Sequence, residues 1–136
     1  SSSENISIKL KEFKDKSITK LDFNNKTIAL YGATSTLQTF TTLYEDYVDR
    51  IKFILDDTDF LDSLYIYTSK RQIQIFNPKI ELIKTINTII IAAYLHDKEI
   101  SKKLRDMGFK GKIYSLRTNT KLTPNKSEKL IYSFID

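Results

Sequence analysis

The chain contains no cysteine, no tryptophan, one histidine, three glycines and two prolines, and each shortage excludes a class of protein. Without cysteine there is neither a disulfide framework nor a thiolate zinc site, and one histidine leaves an all-protein transition-metal centre without ligands. No apolar run approaches the roughly 18 residues of a membrane helix. The longest, Thr88 to Leu95, is built around Ile89, Ile90 and Ile91. The phosphate loop G-x-x-x-x-G-K-[ST] and the nucleophile elbow G-x-S-x-G are both absent, so no catalytic residue is assigned. The first residues lack the basic-then-apolar layout of a signal peptide, and the chain does not start with Met. The expectation is a soluble, cytoplasmic domain excised from a larger enzyme.

What is present is enough for one core. Apolar residues make up 40% and aromatic residues 12% of 136 residues, the composition of one globular domain. Lys and Arg total 22 against 17 acids, a net charge of +5, which by itself points to nucleic acid. The distribution argues against that partner. Tyr44 to Asp62 holds seven acids and two bases, whereas Lys98 to Lys129 holds ten bases and three acids. Four of the bases are Arg, the residue that base and bidentate phosphate recognition favours. Neither a nucleic acid nor a membrane is expected as partner.

Ser1 to Ser3 read as a disordered or vector-derived end, and residues 4–25 as a linker helix packed on the domain through Ile6, Leu10 and Phe13. Residues 26–117 form the domain proper. Thr27 to Tyr31 are β-branched and nearly all apolar, as in a strand buried on both faces. Gly32 turns the chain, and Leu37, Phe40, Tyr44 and Tyr47 or Val48 recur at helical spacing. "IKFILDD" at 51–57, "QIQIF" at 72–76, "NTIIIAAY" at 87–94 and "KIYSL" at 112–116 read as further strands, with a weaker segment at 64–67. Short helices begin near Pro78 and at His96-Asp97; in the second, Ile100, Leu104 and Met107 face inward, Lys98, Lys102, Lys103 and Arg105 face water, and Gly108 is the stop. Residues 118–136 read as an extension with a short helix carrying Leu130, Ile131 and Phe134. The alternation predicts an open, mostly parallel α/β sheet of about five strands with helices on both faces. The first strand lies between the second and the fourth of these, so its carboxyl end is a topological switch point where ligands bind.

The candidate site follows from that placement. Gly32, Ala33, Thr34 and Ser35 stand between the first strand and its helix, where main-chain N–H groups and hydroxyls suit a phosphate. The dinucleotide fingerprint G-x-G-x-x-G needs glycine where Thr34 and Leu37 stand, which disfavours classical NAD binding. Asp56 or Asp57, at the end of the second strand, suits a ribose hydroxyl. Tyr94 and His96 follow the central strand into the same crevice, as a stacking ring and a substrate contact. Each has a plainer reading: a turn, a solvated strand end, edge packing, a helix cap.

The segments "KTIALYGATSTLQTF", "IKFILDDTD", "IIIAAYLHDKEI" and "LRDMGFKGKIYSL" together resemble the Rossmann-like C-terminal domain of sugar C-methyltransferases over about residues 8 to 116. Similar modules open nucleotide-sugar acetyltransferases and dehydratases. The resemblance implies a domain that helps to hold a nucleotide-linked sugar. It further implies that S-adenosylmethionine and the catalytic residues belong to a preceding domain, so this chain binds no cofactor of its own and methylates nothing unaided. Gly32, Thr34, Ser35 and Asp56 or Asp57 match the nucleotide-facing positions. Two departures concern these contacts: Thr34 to Thr36 replace the small residue and Lys-Gly pair of the family, and "TDFLDSLYIYTSKR" replaces a segment often rich in Pro, Lys and Gly. Two other readings compete. One is a structural or homodimerising domain without ligand, and the less favoured one is a small NAD-type oxidoreductase.

Overall fold

The computed structural model describes residues 26–33, 45–68, 70–118 and 130–134. The expected linker helix, the helix after Gly32 up to Tyr44, and Thr34 and Ser35 lie outside them. Among the described residues seven strands form one sheet: β1 (Ile28–Tyr31), β2 (Ile51–Leu55), β3 (Tyr65–Tyr67), β4 (Gln72–Phe76), β5 (Thr88–Ile91), β6 (Lys112–Thr118) and β7 (Leu130–Phe134). Their order is β3-β4-β2-β1-β5-β6-β7. β4, β2, β1, β5 and β6 pair in parallel, and β3 and β7 add antiparallel edges. The five strands expected from the sequence are thus the parallel ones. β1 sits between β2 and β5, as the switch-point argument requires.

The β-branched runs explain the centre of the sheet. Every residue of β1 and β5 is buried, because a parallel strand in the middle of an α/β sheet has no wet face. Alternate residues divide between two cores. Ile28, Leu30, Ile54, Ile73, Ile75 and Ile90 face one side with Val48, which a 3-10 turn over Glu45–Arg50 supplies. Ala29, Tyr31, Phe53, Leu55, Ile89 and Ile91 face the other. That second side is covered by α1 (Ile80–Ile83) and α2 (Asp97–Asp106) through Ile83, Ile86, Ile100 and Leu104. α2 ends where the sequence predicts: Gly108 takes φ +99°, and the N–H groups of Gly108 and Phe109 donate to the carbonyls of Arg105 and Leu104 at 2.9 and 3.0 Å.

Two corrections arise. Leu130–Phe134 is a strand, not the tail of a terminal helix; its antiparallel register with β6, Tyr114 opposite Phe134 through Thr118 opposite Leu130, satisfies main-chain groups that β6 would otherwise leave at an edge. Arg105 is not simply wet. Its Nη1 donates to the Phe109 carbonyl at 2.8 Å, and the guanidinium lies 5.5 Å from the centre of the Phe109 ring. Among the described residues no helix is long and apolar enough to cross a membrane.

α2 is anchored at its start by a buried polar contact. Asp97 is 2% exposed, and the Ser115 hydroxyl on β6 donates to its Oδ2 at 2.9 Å. A carboxylate withdrawn from water needs such partners. This contact fixes where the first turn of α2, and therefore His96, stands above the sheet.

Candidate functional site at the switch point

Tyr31 ends β1 and Gly32 turns the chain with φ +104°, a conformation that side chains with a Cβ strongly resist. A Cβ on Gly32 would lie 2.8 Å from the Cβ and 2.9 Å from the N of Ala93. The chains leaving β1 and β5 therefore touch at the point where the strand order reverses. The amides of Ala92 and Ala93 complete this contact by donating to the Tyr31 carbonyl at 2.8 and 3.3 Å.

On the other side of β1, the Gly32 amide donates to the Leu55 carbonyl at 2.7 Å. The Ala33 amide donates to Asp56 Oδ2 at 2.8 Å, and Asp56 Oδ1 accepts the Thr58 amide, also at 2.8 Å. One carboxylate thus clamps the glycine loop to the loop after β2. Asn77 holds the second loop from behind: its Nδ2 donates to the carbonyls of Asp56 and Thr58 at 2.8 and 3.1 Å, and its amide donates to Asp62 Oδ1 at 2.8 Å. The Ala33 N–H expected to face an anion is therefore already committed to an internal carboxylate.

Above this floor opens a crevice of about 290 Å³ lined by Tyr31, Gly32, Asp56, Asp57 and Ala93 from the sheet side and His96, Glu99, Ile100 and Lys103 from α2 and the turn before it. Tyr31 donates its hydroxyl to both oxygens of Asp57 at 2.9 Å. Burial, followed by that hydrogen bond and the charges of Asp57 and Asp56, raises the Tyr31 phenol well above the ordinary tyrosine range. Tyr31 is consequently a fixed proton donor, unsuited to act as a base. Lys103 Nζ donates to Asp57 Oδ1 across the crevice, so this exposed lysine also forms part of the crevice wall. Three carboxylates and one ammonium give the lining an acidic balance, matched to ligand hydroxyls and amides more than to bare phosphate.

The structure thus brings together Gly32, Asp56, Asp57 and His96 from the sequence candidates, with Ala33 tied into the floor by its amide. Tyr94 begins a 3-10 turn over Tyr94–His96, and its side chain is outside the described residues, as are Thr34 and Ser35. Tyr31, Glu99, Lys103 and Asn77 were not legible as site residues. A signal existed for two of them, because His96, Glu99 and Lys103 recur three and four residues apart and so share one helix face. For Tyr31 and Asn77 the contacts span 26 and 21 residues, and no local pattern announces them. Among the described residues no group of His, Asp and Glu is arranged to hold a metal ion.

No family model and no curated protein sequence matches this chain. Among solved structures it is similar to the crystal structure of UDP-D-quinovosamine 4-dehydrogenase from Vibrio fischeri, with a TM-score of 0.53 and 20% identity over 68% of this chain and 78% of that one. Strand order, mostly parallel pairing and structural neighbour agree on a Rossmann-like α/β fold with its crevice at the switch point.

Proposed function

We propose that this chain is a nucleotide-sugar-contacting module of a carbohydrate-modifying enzyme, non-catalytic by itself, that receives one sugar or nucleoside moiety in the crevice beside Gly32. The observation that carries the proposal is the joined floor at the switch point: Gly32 pressed on Ala93, and the glycine loop clamped by Asp56. This construction leaves the main chain bare where a ligand must approach closely. A volume of about 290 Å³ suits one ring with its hydroxyls rather than a whole nucleotide sugar. Asp57 and Glu99 supply acceptors for such hydroxyls, Lys103 a donor, and the Tyr31 hydroxyl keeps Asp57 oriented. The similar Vibrio fischeri protein is a dehydrogenase of a UDP-sugar, which supports the ligand class. The finer reading is the C-terminal domain of a sugar C-methyltransferase, in which S-adenosylmethionine would belong to a partner domain and a nucleotide-linked sugar to this one.

Titration with UDP-sugars, with S-adenosylmethionine and NAD as parallel arms, tests this through amide chemical shifts. Saturable shifts of Gly32, Ala33, Ala93 and His96 with a UDP-sugar, absent with the other two ligands, are expected. Unmoved signals at about millimolar UDP-sugar, the weak end of specific recognition, would overturn the proposal.

A further inference from the structure

The crevice beside Gly32 is poor in free donors and rich in carboxylate. The amides of Gly32 and Ala33 donate to the Leu55 carbonyl and to Asp56 at 2.7 and 2.8 Å. Those of Ala93 and His96 donate to the carbonyls of Tyr31 and Ala93 at 3.3 and 3.1 Å, and the Tyr31 hydroxyl donates to Asp57. These donors are therefore withheld from any carbonyl or phosphate oxygen of a ligand. Of the three carboxylates, Asp56 accepts two amides and Asp57 is paired with Lys103. Glu99 differs from both. It is exposed on the crevice wall, and Lys103, one turn further along α2, reaches across to Asp57 instead. Among the described residues no cation pairs with Glu99. The positive end of α2 already has Asp97 in its first turn.

We infer that the ring received in this crevice carries a protonated amine, so that the ligand class is a nucleotide-linked amino sugar. The inference rests on the nucleotide-sugar reading above and narrows it. A neutral ring seated here would take water from the carboxylates of Asp57 and Glu99 with one lysine ammonium between them, and a charge withdrawn from water without a counter-ion is costly. An ammonium on the ring offsets that cost. It supplies three donors and no acceptor, which matches a lining whose own donors are committed. Lys103 Nζ already sits on Asp57 in this way, so the acidic wall holds one ammonium as built. A pyrimidine base fits worse, because its carbonyl oxygens need the donors that the floor uses internally. A diphosphate would add negative charge to a lining already acidic.

Amide-shift titrations of the whole chain with matched UDP-sugars test the inference. The probes are UDP-glucosamine and its isomers with the amine on another ring carbon, set against UDP-glucose and UDP-N-acetylglucosamine, at a pH where the amine is protonated. At least one amine is expected to bind about tenfold tighter than the hydroxyl and acetamide counterparts, an advantage that shrinks as salt screens it. Glu99→Gln, at an exposed position, should remove most of that advantage while changing UDP-glucose binding little. Equal or weaker binding of every amine, or an advantage that survives Glu99→Gln, would overturn the inference and leave the nucleotide-sugar reading standing. Failure of every UDP-sugar to shift Gly32 and Ala93 would remove that reading, and the inference with it.

Discussion

Gly32 and Ala93 meet so closely that a β-carbon on the glycine would stand 2.8 Å from the β-carbon of the alanine. This contact keeps β1 and β5 together one residue beyond their last ladder pair, Tyr31 with Ile91. Gly32→Val combines a steric clash with φ +104°. It should cost about 2–4 kcal/mol of unfolding free energy, read by urea denaturation, and should abolish the ligand-induced shifts in whatever fraction remains folded.

Asp56 serves as a clamp, since its two oxygens accept amides from two loops. Asp56→Ala leaves both donors without their acceptor and should cost about 1–3 kcal/mol. Asp56→Asn retains one acceptor oxygen and should cost less. Hydrogen exchange at the amides of Ala33 and Thr58 is the specific measure: both should speed up in the alanine variant while the amides of β5 do not.

Tyr31 confers a pH dependence of definite sign. Its folded-state phenol titrates above the ordinary value of about 10, so the folded chain retains a proton that the unfolded chain releases. The associated stability is complete below pH about 10 and declines as pH rises past it. The stability advantage of the native chain over Tyr31→Phe should therefore be flat through neutral pH and shrink above pH about 10. An advantage that grows in alkali would contradict the buried, neutral phenol.

Lys103 and Asp57 form an ion pair across the crevice with side chains 46% and 51% exposed. Solvent screening at this exposure limits its worth to less than about 1 kcal/mol. Lys103→Met should thus leave the unfolding midpoint nearly unchanged, and that small difference should fade at high salt. Its larger effect should be on UDP-sugar titrations, where a donor on the α2 wall is lost.

Ser115→Ala removes a donor from a carboxylate that is 2% exposed. The expected loss is about 1–3 kcal/mol, measured by thermal or chemical unfolding. Because the contact sets the start of α2, the His96 resonances should shift as well.

The parallel core was readable because its signals are local. Three consecutive isoleucines in "NTIIIAAY" and the run before Gly32 can be buried on two faces only as central strands. Gly108 announced the end of α2, since few other residues take φ +99° there. The C-terminal segment was misread because "LIYSF" suits a helix face and a strand about equally in so short a stretch. Pairing with β6 decided between them, and the partner lies well upstream in sequence. Lys103 was assigned to solvent, as a lysine on an amphipathic helix usually is, and it is exposed; what no local pattern announced is its partner Asp57, 46 residues away.

Three glycines at the outset argued against a dinucleotide loop, and Gly32 is the one of them that matters at the site. The sequence by itself determined the α/β class, the five parallel strands, the switch point and the presence of Gly32, Asp56, Asp57 and His96 around it, because strand burial and turn chemistry follow from near neighbours along the chain. Only the tertiary structure decided what those groups do. It committed the Ala33 amide to Asp56 and held Asp57 between Tyr31 and Lys103, since such hydrogen bonds depend on residues that meet only when the sheet is assembled.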